Sequence, residues 1–405
     1  MIPPRGPRPR VLVLSRNYPN PAFPTLGLWT ERLVQAAQAV TDCTVVAPVP
    51  WVPPLGPGVA VRRFRGVPSR ETRAGVVVYH PRFPAAPGIW LHRFEASLQY
   101  PSIRAVTDQL HRAAPFHLIH AHMIYPEGVI AARLGRRYGV PVMTTEHVLW
   151  RPWLDHWPAV QRQVLEAAPA IRLVSAVSEA VRRSIAAVSG DLFRTAILPN
   201  VVDGEVFRDP APDEPWDPDQ ILFVGAVRHV KGLDVLVRAM ALLAPRRPAL
   251  RLLVLGEAFY GQWRRDEMAV QRLVRELGLT ERVIFGGPAS QPEVAAQMRR
   301  SAALVVPARR ESFSAVAIEA LASGTPVVST RCGGPEEFIS AENGRLVDPE
   351  NPALLAEAID DVLEVRAGFD RGRLRAEVLS RFGVDAVTRC LEAIYGGVLS
   401  PPGRS

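Results

Sequence analysis

The sequence predicts an α/β protein built from two doubly wound units. Three observations carry this prediction. Short apolar, β-branched runs alternate with helical stretches along most of the chain. The alternation stops in a stretch rich in Pro and Asp and then restarts. The 405 residues also exceed what one hydrophobic core of ordinary size absorbs.

In the first half, VLVLS (Val11 to Ser15), TVVAP (Thr44 to Pro48), HLIHAH (His117 to His122), PVMTTEH (Pro141 to His147) and RLVSAVS (Arg172 to Ser178) read as buried strands. Helices are expected over Thr30 to Ala39 and Gly128 to Arg137. Repeated strand, helix, strand order makes the sheet parallel and covers both faces. The run Asp203 to Gln220, DGEVFRDPAPDEPWDPDQ, reads as a linker. Beyond it ILFVG (Ile221 to Gly225), LRLLVLG (Leu250 to Gly256), RVIFGG, AALVVPA and TPVVST supply a second sheet. The expected division is 1–204 and 205–381, with an amphipathic C-terminal helix over about 382–400 packing back on the first unit. The segments Ala47 to Pro87 and Trp90 to Pro101, rich in Pro, Arg and aromatic residues, have no clear assignment.

Composition narrows the function classes. The basic N-terminus is followed by only a short apolar run, Val11 to Leu14, and no stretch is long enough to span a membrane. The chain therefore reads as cytoplasmic. Cys43, Cys332 and Cys390 are widely separated, with no CxxC pair, and read as reduced structural thiols. The net charge of +8 comes from scattered arginines without a nucleic-acid-binding motif, so a nucleic-acid partner is not expected. Among 48 basic residues there is a single lysine, Lys231. An ammonium is a compact point charge that fits where a planar guanidinium does not.

Ligands of open α/β sheets bind outside the carboxyl ends of the strands. Three loops of the second half carry unusual residues there. In FVGAVRHVKGLDVLVRA the strand ends at Gly225 and a helix is expected to start near Lys231, so Arg228, Lys231 and backbone N–H groups would meet an anion. A solvated lysine at an ordinary turn is the alternative. In ESFSAVAIEALASGTPVV, Ser314 is expected to cap a helix, with Glu311 just before it and Glu319 inside an apolar stretch. A lone buried carboxylate needs a partner, and the vicinal hydroxyls of a ribose would provide one; an arginine partner is the alternative. In STRCGGPEEF, Gly333 and Gly334 permit close backbone approach. In the first half, the loop Arg16 to Gly27 follows a strand and precedes a helix, and His147 ends another strand. His120 and His122 lack a carboxylate or Cys partner at ligand spacing, so no metal site is expected.

Taken together, these segments resemble the retaining glycosyltransferases of family 4, which have the GT-B fold of two Rossmann-like domains facing each other across a cleft. The resemblance covers nearly the whole chain and is most specific from Ile221 to Pro349. Glu311 and Glu319, with seven residues between them, match the family's E-x7-E motif. AIEALASGTPVVSTRCGGPEEF and NGRLVDP match the segments after it, LPNVVDGEVF resembles an interdomain signature, and HAHMIYPEG with TTEH resembles the N-domain pattern.

The resemblance implies a nucleoside diphosphate sugar as donor, a sugar or lipid-linked hydroxyl acceptor, retention of configuration and no metal or other cofactor. Glu319 would bind the donor ribose and Glu311 the sugar hydroxyls. Arg228 and Lys231 would hold the diphosphate, helped by the main chain of Ser314, Ala315 and Val316. Gly27 would close over the phosphates, and His147 would lie beside the reacting carbon. The donor set implied also takes in Gly225, Gly256, Val283 and Phe313, and the acceptor set Tyr18, His122, Tyr125 and Glu127. The chain departs from the family in having Ala226 where an arginine is common, Ser314 in place of Gly, and Val201 after Asn200. An epimerase of the same architecture and a non-catalytic nucleotide- or nucleic-acid-binding protein are the rival readings. An epimerase would turn over donor without an acceptor, and the lack of G-x-G-x-x-G after the first strand opposes a dinucleotide. Six of the eight Trp precede residue 160, including Trp150, Trp153 and Trp157 beside Arg151. They fit docking on an anionic inner membrane leaflet, a sugar platform or core packing.

Overall fold

A computed structural model describes residues 8–51, 64–85, 89–151, 153–211, 214, 216–256 and 261–400. The N-terminal heptapeptide, residues 52–63 and 86–87 of the Pro-rich segment, the side chain of Trp90, and residues 212, 213 and 215 of the expected linker lie outside this description. The chain divides into two units, residues 1–201 with 387–405, and residues 202–386.

The first unit holds an eight-stranded sheet in the order β10-β9-β8-β7-β1-β2-β5-β4. Its strands are β1 (Arg10–Leu14), β2 (Asp42–Val46), β4 (Arg70–Arg73), β5 (Val76–Tyr79), β7 (Leu118–His122), β8 (Val142–Glu146), β9 (Leu173–Ala176) and β10 (Thr195–Ile197). All neighbours are parallel except β4 and β5. A small parallel pair, β3 (Val49–Trp51) and β6 (Arg82–Pro84), accompanies it. Strands β1, β7 and β8 are buried along nearly their whole length, which is why they read as unbroken apolar runs. The C-terminal helix Val384–Leu399 closes this unit. Its Val387, Leu391, Tyr395 and Val398 share a core with Val11, Val13, Leu33 and Leu118. Trp90 to Pro101 proves to contain the start of a helix, Glu95–Ala113, with Pro101 inside it.

The second unit is a six-stranded, wholly parallel sheet in the order β13-β12-β11-β14-β15-β16. Its strands are β11 (Asp217–Val224), β12 (Arg251–Leu255), β13 (Val283–Gly287), β14 (Ser301–Val306), β15 (Val327–Thr330) and β16 (Gly344–Val347). The chain runs outward from β11 to β13, returns to β14 on the other side of β11, and runs outward again. The reversal point therefore lies between β11 and β14, where an open parallel sheet opens a crevice at its carboxyl edge. The Pro- and Asp-rich stretch is docked on this unit instead of hanging free. Arg375 donates to the carbonyls of Gly204 and Phe207, Arg299 pairs with Glu214 at 2.6 Å, and Asp217 to Gln220 already belong to β11. Polar residues read as a linker because local composition does not reveal distant arginine partners.

Candidate functional site

The reversal point of the second sheet is where Lys231 and Glu311 meet. Lys231 ends a short 3₁₀ turn, His229–Lys231, after β11; Glu311 follows β14. The Lys231 Nζ donates to Glu311 Oε1 at 2.6 Å, with side-chain exposures of 29% and 10%. Glycines allow this convergence. Gly232 is left-handed (φ 68°), and a Cβ there would lie 1.9 Å from the Pro307 carbonyl oxygen. Gly256, at the end of β12, has φ 127° and leaves no space for a Cβ beside the Gly225 carbonyl. On the other flank Glu311 N–H donates to Cys332 O at 2.7 Å and Gly334 N–H to Glu311 O at 3.1 Å, so the glycine loop after β15 braces the glutamate's backbone.

The helix Ala315–Ala322 begins beside this pair. Ser314 precedes it in the left-handed region (φ 73°), uncommon for a residue with a Cβ. Its side chain makes no cap hydrogen bond, so the expected cap is absent. Ser314 is 6% exposed and its Oγ has no hydrogen-bond partner. A buried donor without a partner beside a helix start is an opening for a polar ligand. Glu319 sits in the second turn and is half-buried, not the fully buried carboxylate that its apolar neighbours imply; a single helix turn rotates it out of the core. Arg228 is exposed.

The first unit gathers three histidines at the carboxyl ends of β7 and β8. His122 Nδ1 and His147 Nε2 are 3.0 Å apart and their rings stack at 5.3 Å, while His120 stacks on His122 at 4.5 Å. His120 lies between the Tyr395 hydroxyl (2.8 Å) and Thr145 Oγ1 (2.7 Å). The hydroxyl chain fixes its tautomer. Ser175 donates to the Thr144 carbonyl, so Thr145 donates to Ser175 and accepts from His120 Nε2–H; Nδ1 then accepts from Tyr395. Burial holds His120 and His147 down to about 3 and His122 well below the ordinary 6.5, so all three are neutral; the Asn200 side chain pulls His147 weakly the other way. Glu146, buried, accepts from the N–H groups of Ile124, His147 and Val148 and from the indole of Trp150, which aims the strand end carrying His147. Glu127 accepts from Arg16 N–H at 3.0 Å, and burial pushes its carboxyl up to about 7. Gly27 is the left-handed residue (φ 72°) before the helix Leu28–Ala37, and a Cβ there would meet the Asn17 carbonyl oxygen at 1.9 Å.

Residues 42–206 match the model for glycosyltransferase family 4, and residues 208–376 that for glycosyl transferases group 1. A D-inositol 3-phosphate glycosyltransferase of Frankia alni is 32% identical over a match spanning 88% of this chain and 89% of that protein. This chain belongs to glycosyltransferase family 4. A further member named D-inositol 3-phosphate glycosyltransferase 1, from Catenulispora acidiphila, is 31% identical over 90% of this chain and 88% of its own. The glycosyltransferase has the GT-B fold. Sucrose-phosphate synthase of Thermosynechococcus elongatus superimposes with a TM-score of 0.78 over 96% of this chain and 99% of its own, at 20% identity. Anabaena HepE in complex with UDP-glucose does so with 0.73 over 96% and 99%, at 18%.

The structure buries or turns away the side chains of several residues expected at the site of the glycosyltransferase. Val283 starts β13, at the amino edge of the sheet, and its side chain is in the core; the ligand edge of that strand is Gly287. Phe313 is buried among Phe338 and Phe382, so only its backbone borders the site. Tyr18 is fully buried in the first core with its hydroxyl unpartnered, so it presents no face to an acceptor. Tyr125 is 3% exposed and donates to the His92 carbonyl. Trp150 is fully buried on Glu146 and is neither a membrane anchor nor a sugar platform, while Trp153 and Trp157 pack edge-on against His92. Among the described residues no helix is long and apolar enough to cross a membrane, and no cluster of three or more metal-ligating side chains occurs. Sequence reasoning missed Arg309, Asp234 and Tyr395. The acidic residue in the first turn after Lys231 was the one local sign of the first two.

Proposed function

We propose that this glycosyltransferase moves a sugar from a nucleoside diphosphate sugar to a hydroxyl of a small anionic acceptor, with retention of configuration and without a metal ion. The observation that carries the reading is the Lys231–Glu311 pair at the reversal point of the donor-side sheet, beside a helix start with a buried unpartnered hydroxyl. When the bond from the anomeric carbon to the diphosphate oxygen breaks, negative charge grows on the leaving diphosphate and positive charge on the sugar ring. Cations and N–H dipoles already in place stabilise that charge. Lys231 has three N–H donors, and the one on Glu311 leaves two for phosphate oxygens. Arg228 and the N–H groups of Ala315 and Val316 supply further donors, taking the place of a divalent cation. Glu319, half-exposed, suits the ribose hydroxyls, and Glu311 the hydroxyls of the sugar. His147 is neutral and serves as an uncharged hydrogen-bonding group, with Nε2 steered by His122.

An anionic acceptor fits the charge of the first unit, which carries 25 arginines against 12 acidic residues, whereas the second carries 23 basic residues against 28 acidic. The relatives' names, which specify an inositol phosphate, support the same class. The test is a thermal-shift screen of UDP-, GDP- and ADP-sugars followed by turnover with and without inositol phosphates. A matched donor at about 100 times its Kd should add about 2.7 kcal/mol of stability. Donor consumption that needs no acceptor would favour an epimerase, and no stabilisation by any nucleotide sugar would defeat the reading.

A further inference from the structure

Arg309 stands two residues before Glu311, is 15% exposed, and has no role in the chemistry proposed above. Its side chain is nonetheless heavily engaged. Nη1 and Nη2 form a fork on the two oxygens of Asp234 (2.9 and 2.8 Å), Nη1 also donates to the His229 carbonyl (2.5 Å), and Nε donates to Glu350 (2.9 Å). Its backbone N–H donates to the Val230 carbonyl at 2.9 Å. The partners at 229, 230 and 234 bracket Lys231 on both sides.

We propose that Arg309 is the positioning residue of the donor site: it ties the loop carrying Lys231 to the loop carrying Glu311, so the ammonium is fixed before a ligand arrives. A guanidinium held between Asp234 and Glu350 is already neutralised, and the hydrogen bonds it donates to Asp234 hold its proton above the ordinary range, so it offers a phosphate little. Its planar fork dictates the orientation of Asp234, the second residue of the helix Leu233–Leu243, in a way a lysine would not. The 3₁₀ turn it grips is three residues long and contains no buried residue; besides Arg309, the Asp266 carboxylate holds it, accepting from His229 N–H at 2.8 Å. A lysine side chain carries a large rotamer entropy, and restricting it beforehand lowers the cost of binding.

The sequence supplies the probe. Because Lys231 is the only lysine, protein grown on ¹³C,¹⁵N-lysine gives a single lysine side-chain signal, and Lys231→Met assigns it by its loss. In Arg309→Gln that signal should shift toward free lysine and sharpen, and Asp234→Asn, which removes the fork from the other end, should do the same. A melting curve of the ligand-free variants checks that each is folded; if Arg309→Gln does not fold, Asp234→Asn, which leaves Arg309 paired with Glu350, decides. Unchanged lysine resonances in the folded variants overturn the proposal. The kinetic consequence rests on the reading of Lys231 as the donor cation: kcat/KM for donor should fall roughly 10- to 100-fold with the KM for acceptor unchanged. Parallel loss of both, in step with loss of folded protein, also overturns it. Should Lys231→Met retain turnover while the NMR shift occurs, the donor reading fails and the role of Arg309 in fixing the loop stands.

Discussion

Replacing Lys231 with Met removes the only ammonium from a 2.6 Å pair while keeping much of the apolar stem. Two effects separate. Glu311, 10% exposed, loses its counter-ion; breaking a fully buried pair costs about 3–5 kcal/mol, and the 29% exposure of the lysine lowers this to roughly 1–2 kcal/mol. Losing one preorganised donor from a developing oxyanion costs roughly 10²–10³ in kcat, or about 3–4 kcal/mol. Adding Glu311→Gln to Lys231→Met removes the stranded charge, so urea stability should recover in the double variant while transfer stays low. The assay is denaturation of the single and double variants alongside single-turnover release of nucleoside diphosphate. Transfer by Lys231→Met within about threefold of the wild type refutes the reasoning, since a transition-state contact cannot be lost so cheaply.

Two buried titrating sites of the first unit make predictions of opposite sign. Glu127 keeps its proton up to about 7 when folded, against 4.5 ordinarily, so the folded state holds more protons in that window and stability falls as pH rises through it. Glu127→Gln should be more stable than the wild type at about pH 8, by up to roughly 3 kcal/mol, and converge with it below about pH 5; equal stability at the higher pH would show a solvated carboxyl. His120 and His147 are held down to about 3 by burial, so the unfolded chain binds more protons below 6.5 and stability falls as pH drops from there toward 3. His120→Gln should flatten the stability–pH slope in acid by about 1.4 kcal/mol per pH unit, and an unaltered slope would mean that the imidazole charges in place.

Much of the donor side was legible in the chain. The central strands β14 and β15 are short and buried throughout, so their apolar runs mark them locally. Gly232 and Gly256 stand where a neighbouring backbone carbonyl, that of Pro307 or of Gly225, comes too close for a Cβ, and Gly225 is set apart by its φ of 153°. The first unit was less legible, since the role of a strand-end histidine depends on what stands on the next strand. Val283 and Tyr18 failed for a related reason: a residue's distance from the ligand edge and the direction of its side chain depend on strand register, which sequence spacing does not set.

By itself the sequence determined two α/β units, ten of the sixteen strands among the described residues in chain order, and a set of candidates among which a single lysine stood out; β3 to β6, β10 and β16 were not read from it. The tertiary structure decided that Lys231 and Glu311, 80 residues apart, are one ion pair, that Arg309 holds the loop between them, and that Tyr395 from the last helix completes the histidine stack. Local propensity acts over a turn or two of chain. Pairing across a parallel sheet depends on crossovers and register that emerge only when the whole sheet has formed.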